Sequence, residues 1–162
     1  MTYDTPTDAA RRPSAIPWPP ILFVLALAGA WTMGRASPLP WPGLDDGPAQ
    51  VIGLGFGVLG VVLIAWAVST LHRGHTTIMP NQRSDHLVTN GPYAFRRNPI
   101  YLGEVFMLFG LAELTSNIWF VIAGLLFAVA VTWLAILPEE RHLEARFGSA
   151  WIDYKEKTRR WI

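Results

Sequence analysis

The run from Val51 to Leu71 holds 21 residues and not one charged side chain. A helix of about that length is what the roughly 30 Å hydrocarbon layer of a bilayer requires. In lipid every backbone N–H and C=O must be satisfied within the chain, so a spanning segment of this kind is helical. Three further uncharged or nearly uncharged runs repeat the pattern. Trp18–Arg35 opens on Trp18-Pro19-Pro20, and Pro99–Ser116 follows Asn98. Ile118–Leu137 is separated from it by a turn at Thr115-Ser116-Asn117, so these last two runs form a hairpin. The expected fold class is an all-α integral membrane protein. It has about four transmembrane helices (18–35, 51–71, 99–116 and 118–137) and a cytosolic amphipathic C-terminal helical tail. Residues 1–17 read as a flexible cytosolic tail and 18–162 as a single membrane domain.

The basic residues orient this arrangement. With four alternating spans, 12 of the 13 Lys and Arg fall on one side and only Arg35 on the other. Basic loops stay cytosolic, so both termini and the loop 72–98 are expected in the cytosol, with the chain in the plasma (inner) membrane. The polar start, with Arg11 and Arg12 before an apolar run that lacks a small-residue cleavage site, does not read as a cleavable signal. Gly53 and Gly57 make a GxxxG pair in the second span. Small residues allow close helix contact in lipid. Packing inside the monomer is the simpler use of the pair, and a homo-oligomer is the other.

The polar residues that could carry chemistry gather on the expected cytosolic face. Thr89-Asn90-Gly91-Pro92 is dense in turn formers. Asn98 is placed to cap the third span and Pro99 fits its first position. Arg96 and Arg97 precede this helix start, where free N–H groups favour anions. They read either as headgroup anchors or as ligand contacts. Glu139 and Glu140 follow Pro138, which is expected to end the hairpin. Their plain reading is support of a helix dipole at the start of a short helix over 139–147. Their functional reading is capture of an ammonium group. Glu104 lies one turn inside the third span, where a carboxylate is costly unless it meets a polar cavity. Gly148 stops the short helix. Ser149–Arg160 then reads as an amphipathic helix whose Trp151 and Tyr154, with nearby Trp161, lie on the membrane surface among basic residues.

Several classes are excluded. The chain has no Cys, so disulfides and thiolate sites are absent. His72, His75, His86 and His142 show no metal-ligand spacing, and no metal is expected. GLGFG at 53–57 lies within an apolar span rather than after a strand, so it is no dinucleotide fingerprint. No nucleic-acid partner is expected. The expected partners are the bilayer and an amphiphilic or lipid-like small molecule.

The run LVTNGPYAFRRNPIYLG, the Glu-Glu pair further on, and FGSAWIDYKEKTRR together resemble the isoprenylcysteine carboxyl methyltransferase and phospholipid N-methyltransferase superfamily. The likeness covers about residues 72–162. It implies an integral-membrane enzyme that uses S-adenosyl-L-methionine and releases S-adenosylhomocysteine. The implied cofactor region is 72–104 and 138–162. Cofactor contacts carried over by motif are His86, Leu87, Val88, Tyr93, Asn98, Pro99, Ile100, Tyr101 and Glu139. Asn98 stands where the family often has His, and Asn cannot titrate. Ala135 stands four residues before Glu139, where the prenylcysteine enzymes carry an arginine, which argues against a prenylcysteine acceptor. Candidates for a catalytic role are Arg97, Glu104 and Glu140. A membrane sterol or steroid reductase using NADPH is the alternative enzyme, since Tyr101-Leu102-Gly103-Glu104 fits its pattern. A non-enzymatic membrane scaffold is the third reading.

Overall fold

A computed structural model describes residues 17–41, 47–74 and 87–162. Its regular elements are all helices, and the only β-type pairing among the described residues is an isolated bridge between Arg96 and Arg159. Helix α1 spans Trp18–Ala36, α2 Gly47–Arg73, α3 Pro99–Thr115 and α4 Trp119–Val131. Helix α4 continues through a π-helical segment, Thr132–Ile136, into α5, Leu137–Phe147. Helix α6 is Ser149–Lys157.

The helices pack in the order α2, α3, α4, α1. Three are long and apolar enough to cross a membrane: Trp18–Ala36, Gln50–Arg73 and Trp119–Phe147. The fourth expected span, α3, has 17 residues and lies between α2 and α4. Large apolar side chains such as Val51, Val58, Leu125 and Val129 stay exposed along α2 and α4. That pattern is expected of faces solvated by lipid.

Glycine sets how closely α2 and α3 approach. A Cβ on Gly110 would lie 2.3 Å from the Gly57 Cα, and one on Gly60 would lie 2.5 Å from the Gly103 carbonyl oxygen. Gly53 faces the Glu113 side chain. The GxxxG pair is therefore used within the chain, against α3. The main apolar core fills the space between α1, α3 and α4, with Leu108, Ala112, Phe120, Phe127, Val131 and Ile136 at its centre. Phe23 meets Phe127 edge-on at 5.8 Å.

The α3–α4 turn forms as expected. Ser116 is left-handed at φ 48°, and Asn117 Oδ1 accepts from the Trp119 N–H at 3.0 Å. Asn117 Nδ2 donates to the Ala30 carbonyl at 3.1 Å, which fixes α1 to the hairpin.

Pro138 does not end the hairpin. The Leu137 N–H reaches back five residues to the Thr132 carbonyl, and the helix runs on into α5. A proline inside a helix removes a donor and crowds the preceding turn. The wider π turn just before it accommodates both effects. The acidic pair Glu139-Glu140 therefore sits mid-helix, and the dipole of a free helix start does not explain it.

Candidate active site

The loop before α3 is built as a tight turn. Gly91–Ala94 is a 3-10 turn, with the Tyr93 N–H donating to Asn90 O at 3.1 Å. Gly91 has φ +59°, and a Cβ there would lie 2.6 Å from Thr70 Oγ1. The turn thus rests directly on the end of α2. Tyr93 is buried, and its carbonyl accepts from the Tyr154 hydroxyl at 2.7 Å. Burial, then the nearby Glu139 and Tyr154, push the Tyr93 phenol above its ordinary range. Burial also pushes Tyr154 up to about 12, so it stays a hydrogen-bond donor at neutral pH.

Beyond the turn, the loop pairs with the C-terminal segment. The Arg97 N–H donates to the Arg159 carbonyl at 2.9 Å. Asn98 does not cap α3. Its Nδ2 donates instead to the Arg160 carbonyl at 3.0 Å, because the parallel C-terminal segment presents an acceptor there. Pro99, which lacks an N–H, starts α3 without needing a cap partner.

Arg97 and Glu140 are held in one buried cluster. Arg97 Nε lies 3.3 Å from Glu140 Oε1, with both side chains 9% exposed. The same Arg97 donates to the carbonyls of Lys155 and Thr158. Glu140 also accepts from Arg160, at 3.0 Å from Nε and 2.7 Å from Nη2. Each charge is thus paired and hydrogen-bonded, as buried charges must be. Trp161 Nε1 donates to Thr132 Oγ1 at 3.1 Å, so the C-terminus is also tied to the π segment. Trp151 and Tyr154, expected on the membrane surface, are buried, with Tyr154 bonded to the loop and the Trp151 ring beside it. Helix α6 ends at Lys157 because residues 158–160 turn to meet the loop.

This clasp aims a second set of residues into one place. On α3, the Tyr101 hydroxyl donates to Glu139 Oε2 at 3.4 Å. Glu104, one turn further along, has a buried Oε2 without a hydrogen-bond partner among the described residues. Both carboxylates interact electrostatically with the Tyr101 hydroxyl. Adjacent glutamates on α5 therefore do different work. Glu140 is saturated by two arginines, whereas Glu139 retains acceptor capacity beside Tyr101.

Of the residues singled out from sequence, Tyr93, Asn98, Pro99, Ile100, Tyr101, Glu104 and Glu139 converge around the start of α3. Leu87 and Val88 are half-buried just before the turn, with Val88 beside Gly74. His86 lies outside the described residues. Ala135 is buried in the core on the π segment. Sequence reasoning missed the second half of the clasp, Thr158, Arg160 and Trp161. Its signal was present in an isolated Trp161 after two arginines, which was absorbed into the expected basic surface helix.

A polytopic helical membrane protein with a carboxylate–tyrosine site at one end of its bundle is the class that this fold and site define. Residues 48–150 match the phospholipid methyltransferase family, and the chain belongs to it. It is 33% identical over 115 residues to a protein-S-isoprenylcysteine O-methyltransferase of Schizosaccharomyces pombe, covering 67% of this chain and 47% of that one. It is 31% identical over 112 residues to protein-S-isoprenylcysteine O-methyltransferase B of Arabidopsis thaliana, covering 65% and 55%. It is 31% identical over 115 residues to the nickel-cobalt-cadmium resistance protein NccN of Alcaligenes xylosoxydans xylosoxydans, covering 70% and 51%. The chain thus spans about half the length of the curated relatives it matches. No solved structure matches it at a comparable level.

Proposed function

We propose that this protein transfers a methyl group from S-adenosyl-L-methionine to an amphiphilic or lipid-like acceptor at the cytosolic face of the membrane. The observation that carries this reading is Glu139, a carboxylate set mid-helix against Tyr101 with acceptor capacity to spare. Family membership supports it independently.

The residues fit the amino-acid end of such a cofactor. Its ammonium group suits Glu139, and the unpartnered Oε2 of Glu104 is a second buried acceptor close to Tyr101. Tyr93, Asn98, Pro99 and Ile100 would contribute the surrounding surface, with Leu87 and Val88 on the approach to it. When bound, the cofactor supplies an electrophilic methyl group on sulfonium. Tyr101 holds the Glu139 carboxylate in one orientation. The Arg97–Glu140–Arg160 cluster holds the α3 start and α5 at fixed separation, so that both reacting partners meet a rigid surface. Holding reactants in contact geometry supplies several kcal/mol of a transfer barrier. An amine acceptor must lose a proton, and Glu104, whose buried Oε2 has no hydrogen-bond partner among the described residues, is the candidate base. A carboxylate or thiolate acceptor needs no base.

The test uses membranes containing the full chain and S-adenosylmethionine labelled in the methyl group. Label entering the organic-extractable fraction, and lost in Glu139→Ala, supports the reading. The same incorporation in membranes with and without the protein contradicts it.

A further inference from the structure

The neighbouring arginines of the loop face opposite ways. Arg97 is spent on the clasp. Arg96 lines a cleft of about 290 Å³ between α2, the 3-10 turn and α3, together with Leu63, Trp66, Pro92, Phe95, Pro99 and Leu102. Its Nη1 donates to the Phe95 carbonyl at 2.9 Å, and among the described residues no carboxylate pairs with it. Among the described residues it is the single charged side chain of the lining. The remaining guanidinium donors form a planar fork suited to two phosphate oxygens.

The rest of the cleft is apolar and faces outward. Trp66 is 47% exposed and Phe95 63% exposed. Trp, with an apolar ring and a polar N–H, belongs at the level of lipid headgroups. From the cleft an apolar stripe continues along α2 through Leu63 and Leu59, at the i, i+4, i+7 spacing that shares one helix face. On the α3 side Leu102 leads to Phe106, whose ring packs on Phe56 at 5.3 Å. From Trp66 to Leu59 the stripe runs about 10 Å. A fixed cation at one end and a lipid-facing apolar groove below it match a charged headgroup with a chain attached.

The geometry points to this cleft as a binding site for an anionic membrane phospholipid, with its phosphodiester on Arg96 and one acyl chain along the α2–α3 groove. The site uses the Arg96 side chain rather than its main chain, which pairs with Arg159, and it borders the proposed cofactor surface at Pro99 but does not include Tyr101 or Glu139. Soluble phosphate shares the headgroup chemistry but leaves the groove unused.

The experiment is native mass spectrometry of the full chain released from detergent. The sample carries equimolar dioleoylphosphatidylglycerol and dioleoylphosphatidylcholine. The expected result is at least fivefold preferential retention of phosphatidylglycerol, falling below twofold in Arg96→Gln and largely kept in Arg96→Lys. Leu63→Trp, which fills the cleft and leaves the charge, lowers retention to the same extent. Lys157→Gln, on the exposed face of α6, leaves the preference unchanged, and millimolar glycerol phosphate does not displace the lipid. Equal retention of both lipids by the unaltered chain overturns the proposal. So does a preference that survives in either Arg96→Gln or Leu63→Trp, or one lost in Lys157→Gln. Displacement by glycerol phosphate assigns the site to a soluble phosphate and overturns the lipid assignment.

Discussion

Arg97 and Glu140 stand 43 residues apart in the chain and 3.3 Å apart in space. This contact joins the loop before α3 to the helix that leaves α4, and Arg160 closes it from the C-terminus. It explains why two consecutive glutamates can be used differently. One is committed to holding the end of the bundle together, and its neighbour is left to face Tyr101.

Breaking this cluster from one side leaves a buried charge without its partner, which costs about 3 kcal/mol or more. Glu140→Ala is therefore expected to lower the unfolding midpoint markedly and to expose Lys155 and Lys157 to trypsin. The double variant Arg97→Ala, Glu140→Ala is expected to be less destabilised than the sum of the single changes. Thermal unfolding in detergent, run as a double-mutant cycle, checks both points. Additive losses would show that the two side chains do not interact.

The α2–α3 contact depends on missing side chains. A Cβ at Gly110 meets the Gly57 backbone at 2.3 Å, and backbone cannot swing aside. Gly110→Ala is expected to destabilise by about 1–3 kcal/mol through overpacking. Among the described residues nothing lies within 4 Å of where a Cβ on Gly55 or Gly29 would stand, so alanine there is expected to be neutral or stabilising by up to about 1 kcal/mol. The three variants compared in one unfolding assay decide whether the close approach exists.

Alkaline pH probes the joint between the loop and α6. Tyr154 donates to the Tyr93 carbonyl, and burial raises its pKa from 10.0 to about 12. Between these values the unfolded chain loses the proton while the folded chain keeps it. The contribution of this group is therefore fully present below pH 10 and is lost as pH rises towards 12. Tyr154→Phe is expected to be less stable by about 1 kcal/mol at neutral pH. It should lose less stability than the unaltered chain over the alkaline window. Equal slopes for the two proteins would place the Tyr154 hydroxyl in water.

The apolar lengths of α1, α2 and α4 were legible because lipid imposes a hydropathy pattern that needs no tertiary information. Gly53 and Gly57 were legible as a close contact for the same reason. The end of the hairpin was not. Pro138 is a strong local breaker, and the five-residue hydrogen bond from Leu137 to Thr132 that bypasses it leaves no composition signal. Asn98 likewise has the local chemistry of a cap, but the Arg160 carbonyl competed for its amide. The convergence of Tyr101 with Glu139 was readable through the family motif. The division of labour between Glu139 and Glu140 was not, because it depends on where Arg97 and Arg160 point, and those directions are set by a segment more than 60 residues further on.

The most direct test of the central claim is a calorimetric titration of the purified full chain with S-adenosylhomocysteine, alongside Glu139→Gln and Tyr101→Phe. Saturable binding by the unaltered chain is expected. Removing the carboxylate charge should weaken it at least tenfold, and Tyr101→Phe, which frees the carboxylate to rotate, should weaken it less. Each variant is first shown to unfold at a midpoint close to that of the unaltered chain. Absence of binding in the folded, unaltered chain, or equal affinity in Glu139→Gln, would contradict the assignment of Glu139 as the cofactor's anchor.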